Sequence, residues 1–323
     1  MRKEYGNNAE FAREYCESNQ LLAAIDERKE FLSSCSDIRE LMEGEKGKPA
    51  MANVNWGVGA LAMACLVMFV YIGHGWMFGQ PTEVNAPPVK RYVTGVGEIK
   101  TINLEDGSTI TLNTSSEILV VMTENLRQIV LRRGEGYFDV SKDIQRPFSV
   151  DLQGRSISVL GTEFNVRRYQ AGFEISLVEG SVLLHRQEEN MDVSAPAVNP
   201  EADEPVHHKA DQQVRMLPNT ELVFDSEEKM ATVSRVDDLG RQLSWKKGIL
   251  SFNGEPLKKV VSELNRYSGK KIVLEDQQLG SQKIFATLST NEIGVAISGL
   301  ERVAPIKIIP SVNKIVIVSS ENF

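Results

Sequence analysis

Cysteine is scarce in this 323-residue chain and missing from its larger part. Cys16, Cys35 and Cys65 are its only thiols. A disulfide framework is thereby excluded for everything after residue 65, and a thiol-free C-terminal part suits an oxidising compartment, while two unpaired thiols before it suit a reducing one. Histidine is equally sparse: His74, His185 and the His207-His208 pair have no Cys or acidic partner at metal-ligand spacing, so no metal or other cofactor is expected. Gly44-Glu45-Lys46-Gly47-Lys48 lacks the spacing of a phosphate-binding loop, and Gly134-Glu135-Gly136 does not open a helix, which removes nucleotide readings. Positive charge is in deficit, 36 Lys and Arg against 44 Asp and Glu, a formal net charge of −8. That balance argues against nucleic-acid binding, which draws its affinity from clustered basic residues. With no convergent catalytic groups, an enzyme is the last reading to reach for.

Long hydrophobic runs are also absent, with one exception. Trp56 to Phe78 holds no Asp, Glu, Lys or Arg. As a helix it would reach roughly 35 Å, enough to cross a hydrocarbon core of about 30 Å. Trp56, Tyr71 and Trp76 stand toward its ends, where amphipathic rings favour the headgroup layer. A cleaved signal peptide would be shorter and would lie at the extreme N-terminus, so the run is expected to stay as a span. Arg39, Lys46 and Lys48 precede it closely, which points to a cytoplasmic N-terminus and a C-terminal part on the far side.

Residues 1–55 read as short amphipathic helices. Phe11 and Tyr15 make one small apolar face, and Leu21, Leu22, Ile25 and Leu32 make another. Helices this short bury little alone and gain most by lying on a partner. Residues 79–90 form a proline-bearing linker. From Arg91 the pattern changes to short alternating runs broken by glycine. Arg132-Arg133-Gly134-Glu135-Gly136, Gly161-Thr162 and Glu179-Gly180 all read as breaks between strands. An all-β domain over 91–240 follows, a sandwich, barrel or solenoid, with a flexible loop at 188–213. Residues 243–323 read as β-α-β-β-α-β-β, a small sheet with two helices on one face. The fold class is then mixed: a helical N-terminal segment, one transmembrane helix, an all-β domain and a small α+β unit.

Gly161-Thr162 carries the one chemical hypothesis. A Thr hydroxyl can attack the preceding carbonyl carbon and turn the amide into an ester that water cleaves, and Gly on the acyl side permits close approach. The structural alternative is a bend in which the hydroxyl satisfies a backbone group.

Ordered motifs then add a resemblance. Leu104-Glu105-Asp106-Gly107-Ser108, Arg133-Gly134-Glu135-Gly136-Tyr137-Phe138-Asp139-Val140, Arg146-Pro147-Phe148-Ser149-Val150, Val159-Leu160-Gly161-Thr162-Glu163-Phe164-Asn165-Val166 and Val178-Glu179-Gly180-Ser181-Val182 occur in that order. They resemble the periplasmic domain of FecR-like anti-sigma regulators. Trp245, Gly248, Leu250, Phe252, Pro256-Leu257 and Leu264-Asn265-Arg266-Tyr267 resemble that family's C-terminal domain, which is similar to the short N-terminal domain of secretins and TonB-dependent transducers. The resemblance implies a single-span bacterial inner-membrane protein with two partners. An extracytoplasmic-function sigma factor would lie on the Phe11–Leu32 faces. An outer-membrane TonB-dependent receptor, often one for iron chelates, would signal through its N-terminal domain in the periplasm. It also implies self-cleavage at Gly161-Thr162, as in some members. The family's N-terminal segment is usually longer and bears Trp, whereas no Trp precedes Trp56 here. The receptor contact is expected as strand addition on the terminal hairpin, at Ile306, Ile308, Ile315, Val316 and Ile317. An anchored subunit of an envelope secretion or export apparatus is the rival from another class.

Overall fold

The computed structural model describes residues 87–187, 197–198, 200, 204–209 and 211–320. The N-terminal helical faces and the run at 56–78 lie outside the described residues. The mixed fold class gives way to a mostly β protein: twenty strands are described, against α-helices of only four, eleven and seven residues. No helix among the described residues is long and apolar enough to cross a membrane. The physical reason lies in the pattern, since period-2 alternation dominates from residue 89 onward and sustained helical spacing is rare.

The β domain is two sheets joined by one strand. β5 (Arg127–Asp139) runs through both, and its two halves pair with different neighbours. Its first half lies between β4 (Glu117–Met122) and β6 (Phe148–Leu152). Outward from these the sheet adds β1 (Val89–Val93) on one side and β7 (Arg155–Val159), β10 (Val182–Arg186), β13 (Val214–Met216) and β11 (Ala197–Val198) on the other. Its second half lies between β3 (Thr109–Leu112) and β8 (Glu163–Tyr169). That sheet extends to β2 (Lys100–Asn103) and, on the far side, to β9 (Gly172–Glu179), β14 (Thr220–Asp225), β15 (Met230–Arg235) and β12 (Val206–Lys209).

Residues 132–136 are thus no turn. Gly134 bends a continuous strand: its φ is +86°, and a Cβ there would stand 2.5 Å from the Ser116 Cα. A glycine bend within a strand and a glycine turn between strands look alike in sequence. The loop expected at 188–213 likewise contains two strands, β11 and β12. Both are short edge strands, and Val206-His207-His208-Lys209 gives little apolar alternation to announce one.

Both sheets contribute to one core. Ile110, Phe138, Phe148, Phe164 and Phe173 are fully buried, Phe138 stacks on Phe164 at 5.0 Å, and Phe173 stacks on Phe224 at 4.9 Å. Burying each ring contributes about 1.5–3 kcal/mol, and each stacked pair adds about 0.5–1.5 kcal/mol. At one end Arg127 is fully buried. It donates to the Arg146 carbonyl at 2.8 Å and 2.5 Å, to the carbonyls of Ser141 and Asp143 at 3.0 Å and 3.2 Å, and to Asp106 at 3.0 Å. Burial opposes the charge of Asp106, but hydrogen bonds from Ser108 and Arg127 hold its carboxyl below the usual range.

The C-terminal unit begins with the short α1 (Leu239–Gln242) and a 3-10 turn, then runs β16 (Ile249–Pro256), α2 (Leu257–Tyr267), β17 (Lys271–Leu274), β18 (Lys283–Ser289), α3 (Ile293–Gly299), β19 (Ile306–Pro310) and β20 (Lys314–Ser319). α2 starts where Pro256 sets an extended φ and ψ, and it buries Leu257, Val260, Val261, Leu264 and Tyr267. The single sheet expected here is two: β16 pairs with β18, while β17, β20 and β19 form a separate sheet with β20 in the middle. The β-bulge at Asn253/Glu255, beside Gly254 at φ +92°, gives β16 a course of its own.

Candidate functional site

The Gly161-Thr162 bond lies in the corner between β7 and β8. Gly161 has φ +155°, and a Cβ on it would come within 2.8 Å of the Lys142 Cα, so no other residue fits. Gly180, at φ +89°, approaches from the β9–β10 corner, where a Cβ would stand 2.8 Å from Thr162 Oγ1 and 2.9 Å from the Gly161 carbonyl oxygen. Backbone bonds clamp both sides: Asp143 N–H donates to the Leu160 carbonyl at 2.8 Å, and Val140 N–H donates to the Thr162 carbonyl at 3.1 Å. Thr162 is only 4% exposed, and its hydroxyl donates to the Ser181 carbonyl at 3.1 Å. At rest the hydroxyl therefore satisfies a backbone group, and attack on Gly161 requires it to leave that partner.

A cavity of about 260 Å³ opens on this corner, lined among others by Ser158, Gly161, Thr162, Ser181 and Arg215. Behind it His185 meets Ser158, with Nε2 and Oγ 2.9 Å apart, while Nδ1 lies 2.7 Å from the Arg186 carbonyl. A carbonyl only accepts, so Nδ1 carries the hydrogen and Nε2 accepts from the Ser158 hydroxyl. Sequence reasoning left His185 as an isolated histidine because its partner lies 27 residues away.

A second polar site joins the β domain to the C-terminal unit. Glu135, on the second half of β5, is 4% exposed. It accepts from Asn113 at 2.8 Å, from Asn165 at 3.0 Å and from Arg266 of α2 at 2.6 Å. Burial opposes its charge, but Arg266, Arg167 and the Asn165 bond outweigh burial and hold the carboxyl below the usual range. Arg266 also bonds Glu263 at 2.5 Å, and Arg167 pairs with Glu263 at 2.9 Å. The Tyr267 hydroxyl donates to Asn113 at 2.9 Å, the Thr114 hydroxyl donates to the Arg266 carbonyl at 2.9 Å, and Lys246 sits 3.1 Å above the Tyr137 ring. The Arg133–Val140 motif and the Leu264–Tyr267 motif thus close on each other.

The terminal hairpin is not the open edge that was expected. β20, with Ile315, Val316 and Ile317, is a middle strand with both sides paired. Ile306 and Ile317 are core residues, with Ile308 and Ile315 packed against the same cluster. β19 is an edge, but its outward donors are taken: Ile306 N–H bonds the Ala304 carbonyl at 2.8 Å, Ile308 N–H bonds Glu301 at 2.7 Å, and Pro310 has none. Asn265 closes β17 in the same way, bonding both the N–H and the C=O of Ile272, at 2.7 Å and 2.9 Å. Phe11, Tyr15, Leu21, Leu22, Ile25 and Leu32 lie outside the described residues. Among the described residues no group of three His, Cys, Asp or Glu side chains is placed to hold a metal ion.

Comparison with known proteins agrees with these motifs. Residues 90–183 match the family model described as FecR protein, and residues 249–318 match the one described as FecR, C-terminal. No curated protein shows significant similarity. Two crystal structures of a Parabacteroides distasonis protein, provisionally named an anti-sigma factor, share the fold at a TM-score of 0.55 and 22% identity. One match, at 2.50 Å resolution, covers 72% of this chain and 99% of that one. The other, at 1.65 Å resolution, covers 71% and 98%.

Proposed function

Because this chain belongs to the FecR-like family of anti-sigma factors, we propose that it relays an envelope signal to an extracytoplasmic-function sigma factor held on residues 1–55. The described residues would be the receiving part, on the periplasmic side of the bacterial inner membrane. The uncharged sequence between Trp56 and Phe78 would tether it, and an outer-membrane TonB-dependent receptor would supply the signal. The observation that carries this reading is the docking of the two family motifs through Glu135 and Arg266. That contact makes the β domain and the C-terminal unit one receiving body, so an event at either reaches the same chain end. With β20 a middle strand and the outward donors of β19 taken, the receptor would instead meet side chains exposed on this unit. Phe285, 62% exposed on β18, and Val295, 67% exposed on α3, are the largest of these in the C-terminal unit's helix-and-strand surface.

The sigma factor arm is tested in the full-length chain by affinity capture. Leu21→Asp or Ile25→Asp should weaken capture by a few kcal/mol, as for buried helix anchors, while Glu30→Ala should leave it unchanged. Capture unaffected by both apolar substitutions would overturn the assignment of residues 1–55. Self-cleavage at Gly161-Thr162 is the covalent step proposed within this role. In it the Thr162 Oγ–C bond forms as the Gly161 C–N bond breaks, the hydroxyl proton passes to the freed amine, and water then hydrolyses the ester. Thr162→Ala should leave one band on a denaturing gel where the native chain gives two, and Thr162→Ser should restore part of the cut.

A further inference from the structure

The C-terminal unit reaches the corner that holds Gly161-Thr162. Glu163, the first residue of β8, stands directly across the ladder from Asp139 of β5 on one side and from Glu179 of β9 on the other. Like charges directly opposite each other weaken a sheet, so this row of three carboxylates strains its own pairing. Two groups oppose the repulsion. Tyr137, two residues before Asp139 and on the same face, donates its hydroxyl to Glu163 at 2.5 Å. Lys246, from the 3-10 turn Leu243–Lys247 of the C-terminal unit, sits 3.1 Å above the Tyr137 ring. That ring is buried in the core of the C-terminal unit, against which Val178, the neighbour of Glu179, also packs. Burial and the Glu163 bond push the Tyr137 phenol up, so it stays a donor. Burial pulls the Lys246 ammonium down while Glu163 and Asp139 push it back up, so both carboxylates lie within reach of its charge.

Whatever moves this row moves the Gly161-Thr162 bond. Glu163 follows Thr162 directly, and Glu179 precedes Gly180, which lies against Thr162 Oγ1. One residue further, the Ser181 carbonyl holds the Thr162 hydroxyl at rest. If Glu163 and Glu179 pushed apart, Thr162 would be drawn off Ser181, the partner its hydroxyl must leave before it can attack Gly161. We infer that Lys246 and Tyr137 are a latch by which the docked C-terminal unit keeps the Gly161-Thr162 corner shut. Undocking withdraws Lys246, uncovers Tyr137 and leaves the three carboxylates to open the corner. For its consequence, a cut held back until the unit lets go, the inference rests on the self-cleavage proposed above; the closed corner does not.

Latch and cut are measured separately in the full-length chain. Lys246→Met and Tyr137→Phe should each shorten the half-life of the intact band on a denaturing gel about tenfold. Lys247→Met, the same charge change on the exposed neighbour, should leave it unchanged. Adding Glu179→Gln to Lys246→Met should restore the native half-life by removing the repulsion, whereas a chain that Lys246→Met had merely loosened would not be rescued by a further substitution. In the uncut Thr162→Ala chain, Lys246→Met should speed amide exchange about tenfold at Val140, whose N–H donates to the Thr162 carbonyl. Unchanged exchange at Val140, a half-life indifferent to Lys246→Met in a chain that does cut, or a failed rescue would each overturn the latch. Faster exchange at Val140 in a protein whose native chain is never cut would uphold the latch and remove self-cleavage alone.

Discussion

Arg127 and Arg266 are guanidinium groups in the same protein, and they are held by different means. Arg127 closes one end of the β domain, and four of its five hydrogen bonds end on backbone carbonyls. Arg266 closes the joint between the two halves, and both of its side-chain bonds end on carboxylates, those of Glu135 and Glu263. Backbone carbonyls neither titrate nor swing away, so the Arg127 cluster lasts as long as the local chain keeps its course. Carboxylates lose their charge in acid. The first arrangement suits a permanent fastening and the second a fastening that can be released.

Breaking each should separate them. Arg127→Ala would strand Asp106 and several carbonyls in a dry site, and such losses cost about 3–5 kcal/mol. Thermal denaturation should show the whole β domain melting earlier, with no stage in which only the joint is open. Glu135→Ala should have a smaller global effect and a local one. Hydrogen exchange should accelerate at α2 and around Asn113 while the strands near Arg127 stay protected, and uniform acceleration would refute the distinction.

Acid should act in the same order. The folded-state pKa of Glu135 lies below its unfolded value, so its contribution is fully present above about pH 4.5 and fades as the pH falls through the lower folded value. Asp106 is depressed too, but protonating it removes one of five bonds to Arg127. Chemical-shift changes on acidification should therefore be larger at the α2 joint than in the Arg146 loop. A separate effect belongs to Glu174. Burial and the neighbouring Glu221 carboxylate push it up to about 8, above its unfolded value. Its sign is opposite: the folded state binds the extra proton, so stability falls as pH rises from about 4.5 to about 8. Glu174→Gln should flatten that decline, measured as Tm at pH 5 and pH 8, and an unchanged slope would remove Glu174 as its source.

The legible and the illegible parts of this chain differ in range. Ile110, Leu112, Phe138, Phe164 and Val166 show in sequence because alternation is local, and the corner at Gly161-Thr162 shows because a glycine break between two strand-like runs is local as well. The joint did not show: Glu135 and Arg266 are 131 residues apart, and Tyr267 and Asn113 are 154 apart. No periodicity spans such distances, and only the shared family motifs hinted that both stretches matter. Edge closure escaped for another reason. Glu301 and Asn265 imitate a neighbouring strand with their side chains, and a hydrophilic residue on a helix or turn gives no sign of doing so.

The corner at Gly161-Thr162 sets how a cut chain would behave. A cut there would leave one piece ending with β7 and another starting with β8. β5 of the first piece stays laddered to β8 of the second from Gly134 to Asp139, and β7 stays laddered to β10 from Arg155 to Ser158. The core draws on both pieces, and Arg266 still grips Glu135 across the gap. Severing the covalent thread would therefore leave the protein whole at rest and change only its strength under load. A pull between the two ends, borne by peptide bonds in the intact chain, would fall on hydrogen bonds and packed rings, and these give way at far lower tension.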